Sequence, residues 1–186
     1  MADSAFGPRF CLRESATGAL DLINCGSLRV TKEPHKSDSK VQRETELELI
    51  AQFGEHLGVP LESKSLRVGD CQVQLDGYFE DENRVIAVEA FSRIGTLASG
   101  QRRKIMSDIL KLAFFGTVVE KAVEKYLVFS DGSSAGFLQG KAWAAQALKA
   151  FNIKIHVVRL SDEAVERLNA AQRLQKEGMA SPTEIQ

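Results

Sequence analysis

From Lys40 to Gly58 apolar residues recur at helical spacing, with Leu47, Ile50, Ala51, Phe53 and Leu57 on one side and Gly58-Val59-Pro60 ending the run. The pattern predicts a helix. The period then drops to two: Ser65–Val68, Cys71–Phe79 and Arg84–Phe91 read as an antiparallel meander turned by Gly69-Asp70 and by Glu80-Asp81-Glu82-Asn83. Helical spacing returns over about Gln101–Phe115, through Ile105, Ile109, Leu112 and Ala113. Beyond it, Tyr126–Phe129 predicts a short buried strand, Gly136–Phe151 an Ala-rich helix, and Ile153–Arg159 another strand. A last helix opens at a Ser161 cap with Asp162 and Glu163 in its first turn. This alternation predicts an α/β fold with a mixed β-sheet flanked by helices.

The chain has 186 residues, which is one domain's worth at ~100–200 residues per domain. Residues 1–39 are uneven, with short apolar bursts broken by Gly7-Pro8 and Gly18, and read as an extension of short strands or loops. Residues 40–178 form the α/β domain, and residues 179–186 a flexible tail. Cys11, Cys25 and Cys71 are an odd number, far apart and without a C-x-x-C pair, so neither a disulfide framework nor a zinc knuckle is suggested and a reducing, cytoplasmic setting fits best. No stretch approaches the ~18 apolar residues of a membrane span.

Lys plus Arg number 24 against 25 Asp plus Glu, a balance that excludes coating of nucleic acid by bulk charge. The distribution is uneven all the same. Arg93, Arg102, Arg103, Lys104 and Lys111 against Asp108 place a net +4 between residues 92 and 111. A helix start of that kind, with Ser99-Gly100 ahead of it, offers charges and backbone N–H groups to phosphate; a solvated basic face, with Asp108 and Lys111 as an i, i+3 surface pair, is the plainer reading.

The second uneven feature is a pair of acids in apolar strands. If Glu82-Asn83 are the two loop residues of a tight hairpin, cross-strand partners sum to 165 and Asp76 faces Glu89 on one side of the sheet. Two carboxylates there repel and lose hydration unless a cation is shared. Hard oxygen ligands with no nearby His or Cys favour Mg²⁺ or a related ion over zinc.

Leu75-Asp76-Gly77-Tyr78 and Val88-Glu89-Ala90-Phe91, with a helix before them and a helix and strand after, resemble the PD-(D/E)XK nuclease superfamily over roughly residues 40–158. The resemblance implies a restriction-endonuclease-like fold of core order αβββαβ followed by αβα, and a metal-dependent endonuclease. It implies Mg²⁺ or Mn²⁺ on Asp76, Glu89 and the Ala90 carbonyl, and a helix-borne Glu near the metal. Glu46 is preferred over Glu44 and Glu48 because 46, 50, 53 and 57 share one stripe; an acidic first turn is the plainer account of all three.

The signature lysine's position holds Phe91. Lys104, on the next helix, is the first substitute, with Arg93 behind it. Arg93, Arg102, Arg103 and Lys111 are then substrate contacts, the partner is DNA or RNA, and a homodimer with one site per strand is compatible. Two alternatives stand beside this: an inactive descendant that binds nucleic acid or a protein, and an unrelated α/β domain in which Asp76 closes a turn and Glu89 pairs with Arg93 or Lys104. His35, His56 and His156 have no i, i+4 partner and read as structural, and Trp143 reads as core or interface.

Overall fold

The computed structural model describes residues 40–180. The short strands or loops expected over residues 1–39, and residues 181–186 of the tail, lie outside the described residues. Helix α1 (Lys40–Leu57) leads into strands β1 (Glu62–Val68), β2 (Cys71–Glu80) and β3 (Arg84–Phe91). Helix α2 (Ser99–Val118), strand β4 (Ala122–Phe129), helices α3 (Gly132–Ala135) and α4 (Trp143–Ala150), strand β5 (Ile153–Val157) and helix α5 (Asp162–Ala180) follow. The five strands form one mixed sheet in chain order. The pairs β1–β2 and β2–β3 are antiparallel, whereas β3–β4 and β4–β5 are parallel.

Strand β3 explains how the layers are held. From Val85 to Phe91 every residue is buried, as expected of a strand covered on both faces. Its odd positions Val85, Ala87 and Phe91 pack with Ile105, Ile109, Leu112 and Phe115 of α2 and with Ala144 and Leu148 of α4. Its even positions Ile86, Val88 and Ala90 pack with Leu49, Ile50 and Phe53 of α1 and with Ala164 and Leu168 of α5. Glu89 has odd parity, so a carboxyl group is driven into the layer between the sheet and α2.

The β2–β3 hairpin has the expected register. Gly77, Tyr78, Phe79 and Glu80 face Val88, Ala87, Ile86 and Val85, and the Asp81 N–H donates to the Arg84 carbonyl at 3.1 Å. The Asp81 carboxylate accepts the Asn83 and Arg84 N–H groups at 2.8 and 2.9 Å, tying the two-residue loop. On its other edge β2 carries an irregularity: Glu62 pairs with Tyr78 but Lys64 with Leu75, so β2 holds one extra residue at Asp76-Gly77. A bulge of this kind re-aims a side chain. Leu75 and Tyr78 consequently lie in the same core layer despite opposite parity.

Gly77 lies against α1. A Cβ there would stand 3.0 Å from Ile50 Cδ1 and 3.2 Å from Val88 Cβ. Gly77→Ala is therefore expected to cost about 1–3 kcal/mol in denaturant unfolding, and a loss below that range would show that α1 yields freely.

Three expectations are corrected. Leu47 does not share the buried stripe of α1: it is 62% exposed, and Leu49 takes its place beside Ile50 and Phe53. The single helix expected over Gly136–Phe151 is interrupted, because Gly140 adopts φ +80, a left-handed conformation that no helix interior sustains. Its first part is only the short 3-10 turn Gly136–Leu138, which follows α3, and its second is α4. Trp143, at the start of α4, is 72% exposed and is not core. Among the described residues no helix is long and apolar enough to cross a membrane.

Candidate active site: acids and a lysine beneath α2

Asp76 and Glu89 are brought to neighbouring positions, as the register requires. The Asp76 Oδ2 atom accepts the Ala90 N–H at 3.0 Å, bridging the end of the β2–β3 ladder with a side chain. Since a strand residue turns its N–H and C=O to the same edge, the Ala90 carbonyl faces β2 as well. Glu89 is 3% exposed.

Helix α2 supplies the rest. Lys104, Asp108 and Lys111 lie at i, i+4 and i+7, on one stripe of the helix. The Lys111 ammonium sits 2.6 Å from Glu89 Oε2 and 3.6 Å from Asp108 Oδ1, and donates to the Gln74 carbonyl at 3.0 Å. The other Glu89 oxygen, Oε1, is buried with no hydrogen-bond partner. A buried acceptor left without a partner costs about 1–3 kcal/mol, and more when it is charged, whereas an exposed one is satisfied by water.

The electrostatics follow from that crowding. Burial raises the Glu89 pKa to about 9, Asp76 and Asp108 add repulsion, and Lys111 offsets only part of the rise. Burial also raises Asp108, against the pull of Lys111 and Lys104. For Lys111 burial acts to lower the pKa, yet Glu89, Asp108 and Asp76 together hold it above the ordinary lysine value. Three acids share one ammonium at contact distance, Lys111, with Lys104 acting on Asp108 from further off, so full ionisation leaves an excess of negative charge. Such a cluster binds either extra protons or a further cation.

The remaining candidates are dispersed around this centre. Phe91 is packed against Phe129 in the core, with ring centroids 6.0 Å apart. Lys104 lies 5.6 Å above the Phe91 ring and 3.8 Å from Glu46 Oε1. The ammonium beside Glu89 is thus Lys111, further along the stripe than the residue preferred from sequence. Glu46 accepts the Ser92 hydroxyl at 3.3 Å, which turns it towards the end of β3. Glu44 and Glu48 instead form outward pairs with Lys40 at 3.6 Å and Arg167 at 3.9 Å. Arg102 rests over the Phe137 ring at 5.6 Å, Arg103 is exposed, and Arg93 is half-buried beyond β3. None of these arginines has an ion pair to the acids of the cluster. His56 and His156 stack together against Phe53, with ring centroids 4.7 Å apart.

No family model, curated protein or solved structure matches the chain, so the chemistry of the site is argued from its own geometry. Among the described residues no group of three or more His, Cys, Asp and Glu side chains is arranged to hold a metal ion. A pair of carboxylates completed by a backbone carbonyl is a different donor set. Asp76, Glu89 and the Ala90 carbonyl provide it, all oxygen and all at the end of one strand pair. Sequence reasoning missed two members of the cluster, Asp108 and the Gln74 carbonyl. Asp108 had a signal: it adjoins the apolar positions Ile105, Ile109 and Leu112, which places it on the buried side of α2.

Proposed function

We propose that this chain is a metal-dependent nuclease that hydrolyses phosphodiester bonds in DNA or RNA, on a restriction-endonuclease-like core. The observation that carries the reading is the buried Glu89 carboxyl, with one oxygen orphaned and the other on Lys111, beside Asp76 on the same side of the sheet. The order α1, β1–β3, α2, β4, then α4, β5 and α5 supports the same reading.

The donor set fits Mg²⁺ or Mn²⁺. Asp76, Glu89 and the Ala90 carbonyl would hold the ion, and the excess negative charge of the ionised cluster is what a divalent ion neutralises. When bound, such an ion polarises a phosphoryl oxygen and acidifies water. The protein's own groups prepare that chemistry. The Ala90 N–H fixes the Asp76 carboxylate, the Gln74 carbonyl and Asp108 orient Lys111, and the protonated Lys111 stands ready to stabilise negative charge on phosphoryl oxygens. Glu46, with Lys104 and Ser92, forms a second polar group at the end of β3. Arg102 and Arg103 lie exposed on the first turns of α2, where they can meet a polyanion.

Incubation with single- and double-stranded DNA and RNA, with Mg²⁺ or Mn²⁺ and with chelator, tests the reading. Cleavage is expected only with the ion, and Asp76→Asn is expected to reduce it by at least about a hundredfold. Cleavage that survives Asp76→Asn would place the activity elsewhere. The seat of Lys111 on Glu89 and on the Gln74 carbonyl favours one second reading, in which the ammonium has taken over the ion's task and the chain binds nucleic acid without cutting it. Salt-sensitive binding with no cleavage of any substrate is its signature.

A further inference from the structure

Beyond β3 the chain runs through Ser92–Ala98 into α2, and this segment is crossed by the C-terminal half of α5. Between them lies a cavity of about 530 Å³. Its charged and amide lining is Arg93, Gln101, Asn169, Gln172, Arg173 and Lys176, with no Asp or Glu. Residues 169, 172, 173 and 176 fall on one face of α5, at i, i+3, i+4 and i+7, so the helix presents amides and cations to the cavity together. Arg93, Arg173 and Lys176 form no ion pair among the described residues. The nearby acid on the neighbouring loop, Asp131, is occupied as the N-cap of α3, accepting the Ser133 N–H at 3.2 Å and the Gly95 N–H at 2.7 Å.

Two further features carry the same sign. Arg93 is half-buried, and burial alone acts on its guanidinium, which no carboxylate compensates. The first turn of the 20-residue α2 contains no acid; the neutral Gln101 amide oxygen accepts the Ala98 N–H at 2.8 Å, so no negative charge opposes the positive end of that helix at the same cavity. Gln172 is buried and fixes the loop by accepting the Ile94 N–H at 3.4 Å. The cavity is therefore built on a braced loop and not on a set of free surface lysines. Its position also matters, since Arg93 follows Glu89 by four residues, about 13 Å in extended chain.

We propose that this cavity is a phosphate-binding subsite, which takes one phosphate of the strand handled at the Asp76–Glu89 centre. The strand assignment rests on the nuclease reading; the binding of phosphate does not. A guanidinium, a second arginine and a lysine with neighbouring amides form the donor set that phosphate oxygens require. The subsite would hold the substrate's backbone some way along from the acids, which fixes its path and leaves sequence unread.

Two titrations of the full-length chain test this. In the first, inorganic phosphate is added and backbone amide shifts are followed by NMR. Saturable shifts are expected over residues 94–101 and 169–176, and are expected to disappear in Arg173→Gln/Lys176→Gln, which leaves the half-buried Arg93 in place. In the second, a labelled single-stranded oligonucleotide is bound in chelator at several salt concentrations. The double variant is expected to weaken binding several-fold and to lower the salt slope by about 0.7 for each phosphate it no longer neutralises. Absence of saturable phosphate shifts would overturn the subsite. Oligonucleotide binding with unchanged affinity and slope in the variant would overturn its place on the strand while leaving the nuclease reading intact. Phosphate shifts without any oligonucleotide binding would sink the nuclease reading and the strand assignment together, leaving a site for a free phosphate group.

Discussion

Lys111→Met is expected to be the most damaging single substitution in the described structure. The methionine keeps the aliphatic stem but removes the only ammonium within 4 Å of Glu89 among the described residues, leaving Asp76, Glu89 and Asp108 to repel one another in a buried layer. Removing one partner of a buried pair typically costs about 3–5 kcal/mol. For a chain of this size that lowers Tm by roughly 10 °C. The pH dependence gives the mechanism away. Burial raises the carboxyl pKa values of both Glu89 and Asp108, so acidification protonates them and removes the repulsion that the variant exposes. In the parent Glu89 gives up its proton only at about 9, so the deficit should be largest above pH 9 and shrink as the pH falls below that value. Millimolar Mg²⁺ is expected to recover part of it above pH 9 if the ion occupies the acids, a readout that does not depend on cleavage. Thermal unfolding followed by circular dichroism, with and without the ion, measures all of this. A variant as stable as the parent above pH 9 would remove Lys111 from the electrostatics of the site.

What could be read from the chain, and what could not, divides along the range of the forces involved. The hairpin arithmetic needs only a two-residue loop, and Asp81 enforces that loop locally by accepting two N–H groups of the turn. The placement of Asp76 beside Glu89 was therefore legible. The bulge that adds a residue to β2 was not, because it exists only relative to β1, and nothing within Asp76-Gly77 announces it. That Lys111, read as a substrate contact, would be the ammonium beside Glu89 was not legible for a similar reason. Lys104 and Lys111 both lie on one stripe of α2, and which of them meets Glu89 depends on how that helix lies across the sheet. Large apolar residues such as Ile105, Leu112 and Phe115 set that placement by packing on β3 and β4. Asp108 was misjudged as a surface partner of Lys111, although the pair exists, because spacing reports adjacency and not depth. At Gly140 a left-handed turn cut what composition alone presented as one helix. Local chemistry was readable; long-range packing was not.

Glu89→Gln should act in the opposite direction from Lys111→Met on stability and in the same direction on activity. In the folded chain Glu89 releases its proton only at about 9, against an ordinary value of 4.5, and burial is the main cause. Between those values the folded chain holds a proton that the unfolded chain has already released. Stability therefore falls as pH rises through that window, and the full penalty is present above it. Glutamine removes the titration. Its amide can present its oxygen to Lys111 and its N–H₂ group to the space around the orphaned Oε1, while Lys111 keeps Asp108 at 3.6 Å and the field of Asp76. At pH 8 the variant is expected to be more stable than the parent by about 2 kcal/mol, within the range found when a buried charge is replaced by a neutral group. The two stabilities should converge as pH falls to about 4.5, where the carboxyl is protonated in both states. Cleavage, if the acids hold the ion, should drop by at least about a hundredfold in the same variant. A site that costs the fold stability and is removed with a gain in stability has been kept for its chemistry. Denaturant unfolding at a series of pH values decides the matter: a Glu89→Gln chain less stable than the parent at pH 8 would mean that Glu89 is ionised and that its pair with Lys111 is a structural asset.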